Sequence, residues 1–196
     1  MYSCGFIEWL CKHRIMVIGL LAIVGALSLS SSTYGDQRLL RIGNRRLSID
    51  CAGLPDGNAT VVLMPGGGEP AKNWTKVQTQ VATFARVCTY DPAGSGDSDK
   101  TAEPQSADEL IEDLHALLET AAEKKPYVLV AHSLAGILAR RFARRFPDEI
   151  AAFVFVDSSH EEQAWRLHEL DPGGPPLNEK VARMGFYTTP GRRLTW

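Results

Sequence analysis

Tyr127-Val128-Leu129-Val130-Ala131-His132-Ser133-Leu134-Ala135-Gly136 is the stretch on which the reading of this chain turns. Tyr127 to Ala131 is a short apolar run rich in β-branched residues, which suits a buried strand. Leu134 to Phe146 has the composition of a helix and is stopped by Pro147. A serine at a tight strand-to-helix turn is held with its hydroxyl exposed, and only small residues fit two places before and two after it. Here those places hold Ala131 and Ala135, with Gly136 following at once. A serine that merely caps an ordinary helix is the competing reading. The strand before, the helix after and the spacing of the small residues favour Ser133 as a nucleophile.

Upstream, the same alternation repeats. Thr60 to Met64 reads as a buried strand broken by Pro65-Gly66-Gly67-Gly68. Asn73 to Ala85 reads as a helix with Trp74, Val77, Val81 and Phe84 on its apolar face. Arg86 to Tyr90 is a further strand, and Asp91 to Asp99 is either a loop that shapes a pocket floor or a plain polar loop, which spacing alone does not separate. Ser106 and Glu109 form a capping box, opening a helix with Leu110, Ile111, Leu114, Leu117, Leu118 and Ala121 on one side. Ala151 to Val156 is a last apolar strand, and Glu161 to Leu170 can be helical. At the front, Arg38 to Ile42 and Arg46 to Cys51 flank Gly43-Asn44, a hairpin signal. Strands alternating with helices give a three-layer α/β/α architecture, a mostly parallel sheet with an antiparallel N-terminal edge.

The chain has 196 residues, 44% hydrophobic and 22% charged, with a net charge of −2, which is the composition of a globular protein. Its basic cluster, Arg140, Arg141, Arg144 and Arg145, has helical spacing and reads as a solvated helix face, so no nucleic-acid partner is expected. No cysteine–histidine cluster has ligand spacing, so neither a metal nor another cofactor is expected. Lys12, His13 and Arg14 precede the uncharged run of residues 15–29, and small residues follow. That pattern reads as a secretory signal peptide within residues 1–35. Fifteen helical residues span about 22 Å against a bilayer core of roughly 30 Å, so a cleaved signal for a secreted or periplasmic protein is favoured over an anchor that attaches the chain to a membrane through residues 15–29.

Thr60-Val61-Val62-Leu63 before a glycine loop, Arg86-Val87-Cys88-Thr89-Tyr90-Asp91, the Ser133 turn, and Phe153-Val154-Phe155-Val156-Asp157 resemble, in order and spacing, the α/β-hydrolase superfamily, and its esterase-like members above all. The resemblance runs from about Gln37 to about Gln163 and departs at Pro92, where an arginine is usual. It implies a partial α/β-hydrolase fold: residues 36–160 as the core with its first six strands, and 161–196 as the start of a cap. It also implies a hydrolase of ester-like bonds in a small-molecule substrate. Ser133 would be the nucleophile and the N–H groups of Gly67 and Leu134 the oxyanion donors. Asp157, at the end of the last strand, is the candidate acid. The family order is serine, acid, histidine, and the histidine usually follows strands beyond the cap, so a chain truncated there would be impaired as an enzyme or, in the alternative reading, catalytically inactive or a product that only binds. His160 and His168 lie after Ser133; His132 points elsewhere and His115 is on a solvated helix face. In the same fold the second strand lies beside the fourth, which brings Cys51 near Cys88 and implies a disulfide. Cys4 and Cys11 fall in the leader.

Overall fold

The computed structural model describes residues 35–55 and 57–170. The leader, its apolar run at 15–29, Cys4, Cys11 and the cap residues 171–196 lie outside the described residues. Among the described residues no helix is long and apolar enough to cross a membrane.

Six strands form one sheet: β1 (Asp36–Ile42), β2 (Arg45–Ala52), β3 (Thr60–Met64), β4 (Arg86–Tyr90), β5 (Tyr127–His132) and β6 (Ile150–Val156), in the order β1-β2-β4-β3-β5-β6. β1 and β2 pair antiparallel through the tight turn Gly43-Asn44, where Gly43 has φ 59°. Such a positive φ is what glycine supplies in a two-residue hairpin loop. β2 pairs antiparallel with β4, and β4, β3, β5 and β6 are parallel neighbours. Alternate residues of β3 serve opposite faces: Val62 and Met64 join one apolar cluster and Leu63 the other. Both faces are therefore covered, as a parallel sheet requires.

The larger cluster is closed by α2 (Ala107–Thr120) and α3 (Ala135–Arg145). The capping box opens α2, with Ser106 Oγ accepting from Glu109 N at 3.2 Å and Glu109 Oε2 accepting from Ser106 N at 2.7 Å. α2 buries Ile111, Leu114, Leu117 and Leu118, and α3 buries Ile137, Leu138 and Phe142. Each such side chain contributes about 1.5–3 kcal/mol by leaving water. Of the arginines of α3, Arg144 and Arg145 are exposed, as expected of a solvated face, while Arg140 and Arg141 are half-buried. Arg141 pairs with Asp108 at 2.8 Å and Arg145 with Glu112 at 2.9 Å, lacing α3 to α2, while Arg140 turns toward the chain after β6. His115 is not solvated either: it stacks on Phe146 at 3.9 Å and lies 3.2 Å from Glu149.

The opposite face carries a short 3₁₀ turn, Ala71–Trp74, and α1 (Thr75–Val81), where one helix from Asn73 to Ala85 was expected. Its buried positions are Trp74, Gln78 and Ala82; of the expected apolar set Trp74 is buried and Val81 packs against the core, but Val77 is 42% and Phe84 78% exposed. The spacing of four from Trp74 sets the face. Gln78 can sit on it because its amide donates to Asp50 O at 2.9 Å, which satisfies the buried donor. α4 (Gln163–Leu170) ends the described chain.

β6 occupies the edge of the sheet among the described residues, and Phe153, Val154, Phe155 and Val156 are each more than a third exposed.

Candidate active site

β3, β4, β5 and β6 run parallel, so their C-terminal ends open on one side, and the loops that leave them meet there. Ser133 occupies the junction of β5 and α3 with φ 51°. A non-glycine residue in that region costs about 1–3 kcal/mol and persists only where its surroundings over-determine it. Several contacts do so. Ser133 N donates to Val156 O at 3.3 Å, while Ser133 O accepts from Ser159 N at 2.9 Å and Gly136 N at 3.0 Å. Ser158 Oγ donates to Ala131 O at 2.5 Å. Ala131 and Ala135 are both buried, as the small-residue pattern requires, and Gly136 lies so close to the chain after β6 that a Cβ added there would stand 2.6 Å from Ser158 Cβ. Ser158 and Ser159, which brace the turn, escaped the sequence reading. The only signal they offer is a polar pair directly after an apolar strand.

The Ser133 hydroxyl has no hydrogen-bond partner among the described residues. The same holds for the N–H groups of Gly67 and Leu134. These two residues adjoin, since a Cβ added to Gly67 would lie 3.0 Å from Leu134 Cδ2. Gly67 is exposed, and Ser133 and Leu134 are half-buried, so all three groups are open to an incoming molecule.

Two acidic residues hold the surrounding loops. Asp91, 4% exposed, accepts from Ala71 N at 2.6 Å and from Asp97 N at 3.0 Å, joining the loop after β4 to the start of the helical segment after β3. Gly96 is needed there, because a Cβ on it would overlap the Asp91 carboxylate. Ser98 closes the loop by donating to Asp91 O at 2.6 Å. Glu69 accepts from Gly66 N at 3.3 Å and from His132 Nδ1 at 3.1 Å. The His132 ring is thus engaged with Glu69. Beside these loops lies a pocket of about 330 Å³ whose walls are mainly apolar, among them Pro65, Pro92, Ala93, Leu110, Leu134 and Leu138. The loop of Asp91 to Asp99 thus contributes its first residues to a pocket wall.

Asp157 directly follows β6 with φ 44°, exposed and without a partner among the described residues. His160 is engaged locally: its Nδ1 accepts from Glu162 N at 3.1 Å at the entry to α4. The His168 side chain lies outside the described set. Among the described residues no imidazole is hydrogen-bonded to Ser133. Glu161, only 1% exposed, accepts from Arg140 Nε at 2.9 Å. Burial pushes its carboxyl up, but the hydrogen bond from Arg140, a backbone hydrogen bond and the nearby positive charges outweigh that and hold it below the usual carboxylate range. Arg140 also donates to Ser159 O at 2.7 Å, so this pair fixes the segment that braces the Ser133 turn. The carboxylates of Glu119 and Glu149 near His115 are bridged by Lys125 Nζ, 2.7 Å from each. Cys51 and Cys88 face each other across β2 and β4, with their sulfurs 2.11 Å and their Cα atoms 4.1 Å apart.

Residues 59–174 match the alpha/beta hydrolase fold family. The chain belongs to that family. It is 34% identical to a methylesterase of Arabidopsis thaliana, over half of this chain and 39% of that protein. It is 32% identical to a probable transporter of Hormonema carpetanum, over 72% of this chain and 21% of that protein. Among solved structures it resembles an alpha/beta hydrolase from Novosphingobium aromaticivorans, with a TM-score of 0.60 and 25% identity over 73% of this chain and 52% of the other. The chain spans between 21% and 53% of the length of the curated relatives it matches.

Proposed function

We propose that this chain carries the nucleophile half of a serine hydrolase acting on ester bonds of a small molecule. The observation that carries the reading is the left-handed backbone of Ser133 between β5 and α3, beside the unpaired N–H groups of Gly67 and Leu134. Ser133 Oγ attacks the ester carbonyl, and the two N–H groups stabilise the oxyanion that develops. An acyl-serine forms and the alcohol leaves with a proton; water then releases the acid. Asp157 is the candidate acid, from its place at the end of β6. The similarity to a methylesterase supports ester chemistry, and the apolar pocket beside Gly67 and Leu134 supports an apolar acyl group.

The base that takes the Ser133 proton comes, in this reading, from outside the described residues. His115, His132 and His160 are each committed to another partner. The test is turnover of p-nitrophenyl acetate and butyrate by the purified chain, with Ser133→Ala as the control. Slow turnover that Ser133→Ala abolishes supports the reading. Turnover within the ordinary range of about 1–1000 per second would show that a base is already in place, and His168→Ala would then identify or clear that residue. Turnover indifferent to Ser133→Ala would refute the nucleophile.

A further inference from the structure

His132 stands immediately before the proposed nucleophile, and Gly66 immediately before the proposed oxyanion donor Gly67. One atom joins them. Glu69 Oε2 accepts from His132 Nδ1 at 3.1 Å and from Gly66 N at 3.3 Å. The turn is closed from the other side by Glu69 N donating to Gly66 O at 3.1 Å. Two further contacts fix the imidazole. Trp74, 8% exposed, meets it edge-on at 6.5 Å and 82°, and a Cβ added to Gly66 would lie 3.1 Å from Nδ1.

Resting on the reading of Ser133 and Gly67 given above, we propose that Glu69 and His132 form a strap that sets the distance between the oxyanion donor and the nucleophile. Both are positioning residues. The loop Pro65–Gly68 is built of three glycines and one proline, and it holds few side chains that could anchor it. Without the strap, Gly66 loses its side-chain acceptor and Gly67 is free to move relative to Leu134, the other donor. Since Glu69 and His132 are each about a third exposed, at 37% and 32%, the pair adds little to global stability. Its effect on reactivity is much larger, because an oxyanion donor displaced by about 1 Å costs on the order of 100-fold. The strap is thus distinguishable from an ordinary surface ion pair and from a structural brace.

The experiment follows the rate at which a fluorophosphonate probe labels the full chain, with Ser133 Oγ displacing fluoride from phosphorus and its proton leaving as the fluoride's counterion. Ser133→Ala marks the background. Glu69→Ala is expected to slow labelling by about 10- to 100-fold with the melting temperature within about 2 °C of the parent, and Glu69→Gln, which keeps an acceptor oxygen, to restore it to within about threefold. Labelling of Glu69→Ala at the parent rate overturns the proposal. So does an equal loss in Glu69→Ala and Glu69→Gln accompanied by a large fall in melting temperature, which would make Glu69 purely structural. If the parent chain itself is not labelled, the Ser133 reading fails and the strap is judged separately, by amide hydrogen exchange at Gly66 and Gly67. Exchange at least tenfold faster in Glu69→Ala supports it, and unchanged exchange overturns it.

Discussion

Replacing Cys51 and Cys88 together by alanine, or reducing the chain, tests the one covalent link in the described fold. The two residues are separated by 37 in sequence and sit directly opposite each other in the β2–β4 register. A cross-link stabilises chiefly by shrinking the unfolded ensemble, and its worth grows with the logarithm of the loop it closes. For a loop of this length the chain-entropy relation gives about 4 kcal/mol at 25 °C. In a chain of this size that converts to a fall of about 8–15 °C in melting temperature. Both cysteines are 1% exposed and belong to the main apolar cluster, so the alanine pair also loses some packing. Reduction leaves the sulfurs in place and isolates the cross-link.

The assay is thermal unfolding of the oxidised chain, the reduced chain and Cys51→Ala/Cys88→Ala. Oxidised protein should melt well above both others, with the double variant at or slightly below the reduced form. A reduced chain that melts within about 2 °C of the oxidised one would refute the entropic argument. A direct count of the thiols is independent of it: in a Cys4→Ser/Cys11→Ser background, the denatured and unreduced protein should titrate no free thiol. Two free thiols would deny the bridge and remove its support for an exported protein, since such links persist in oxidising compartments.

Gly136→Ala places a Cβ 2.6 Å from Ser158 Cβ and 3.0 Å from Ser159 O, and Ser158 is tied to Ala131 O, so urea unfolding should show a loss of about 1–3 kcal/mol with fluorophosphonate labelling of Ser133 reduced alongside. Glu161→Gln should flatten the acid side of the stability–pH curve. The folded carboxyl lies below its unfolded value of about 4.3, so its contribution is complete above that value and fades as pH falls through the folded one. Melting temperatures measured from pH 7 down to pH 3 check it, and a variant curve parallel to that of the parent would count against the Arg140–Glu161 pair.

Period and breakers made the core legible from sequence. β3 and β5 are short runs rich in apolar residues, stopped by Pro65 and preceded by Pro126, and most residues of β3 and β4 and alternate residues of β5 are buried. Patterning failed where one polar contact overrode it. Gln78 is buried because Asp50 O receives its amide, and that moved the inward face of α1 away from Val77 and Phe84. The same limit hid the acids around the site. Asp91, Glu69 and Glu161 lie 20, 63 and 21 residues from partners they hold, namely Ala71, His132 and Arg140. No window of a dozen residues contains such pairs. The partners of Arg141 and Arg145 were hidden for the same reason, since Asp108 and Glu112 lie on another helix.

The Ser133 turn is local in sequence but not in energy. The segment from Ala131 to Gly136 supplies the small residues and the strand-to-helix change, and those are visible in a single decapeptide. The strained φ at Ser133, however, is held by Val156 O and Ser159 N, which belong to β6 and the chain after it. That chain is held in turn by Arg140, through Ser159 O and the buried Glu161 carboxylate. Arg140 lies on α3, the helix that the turn itself launches. The Ser133 turn, the end of β6 and α3 therefore form a closed circuit, in which the helix that starts at the turn fixes the segment that strains it. A left-handed serine costing about 1–3 kcal/mol is sustained because no member of that circuit can relax without breaking contacts made by the other two.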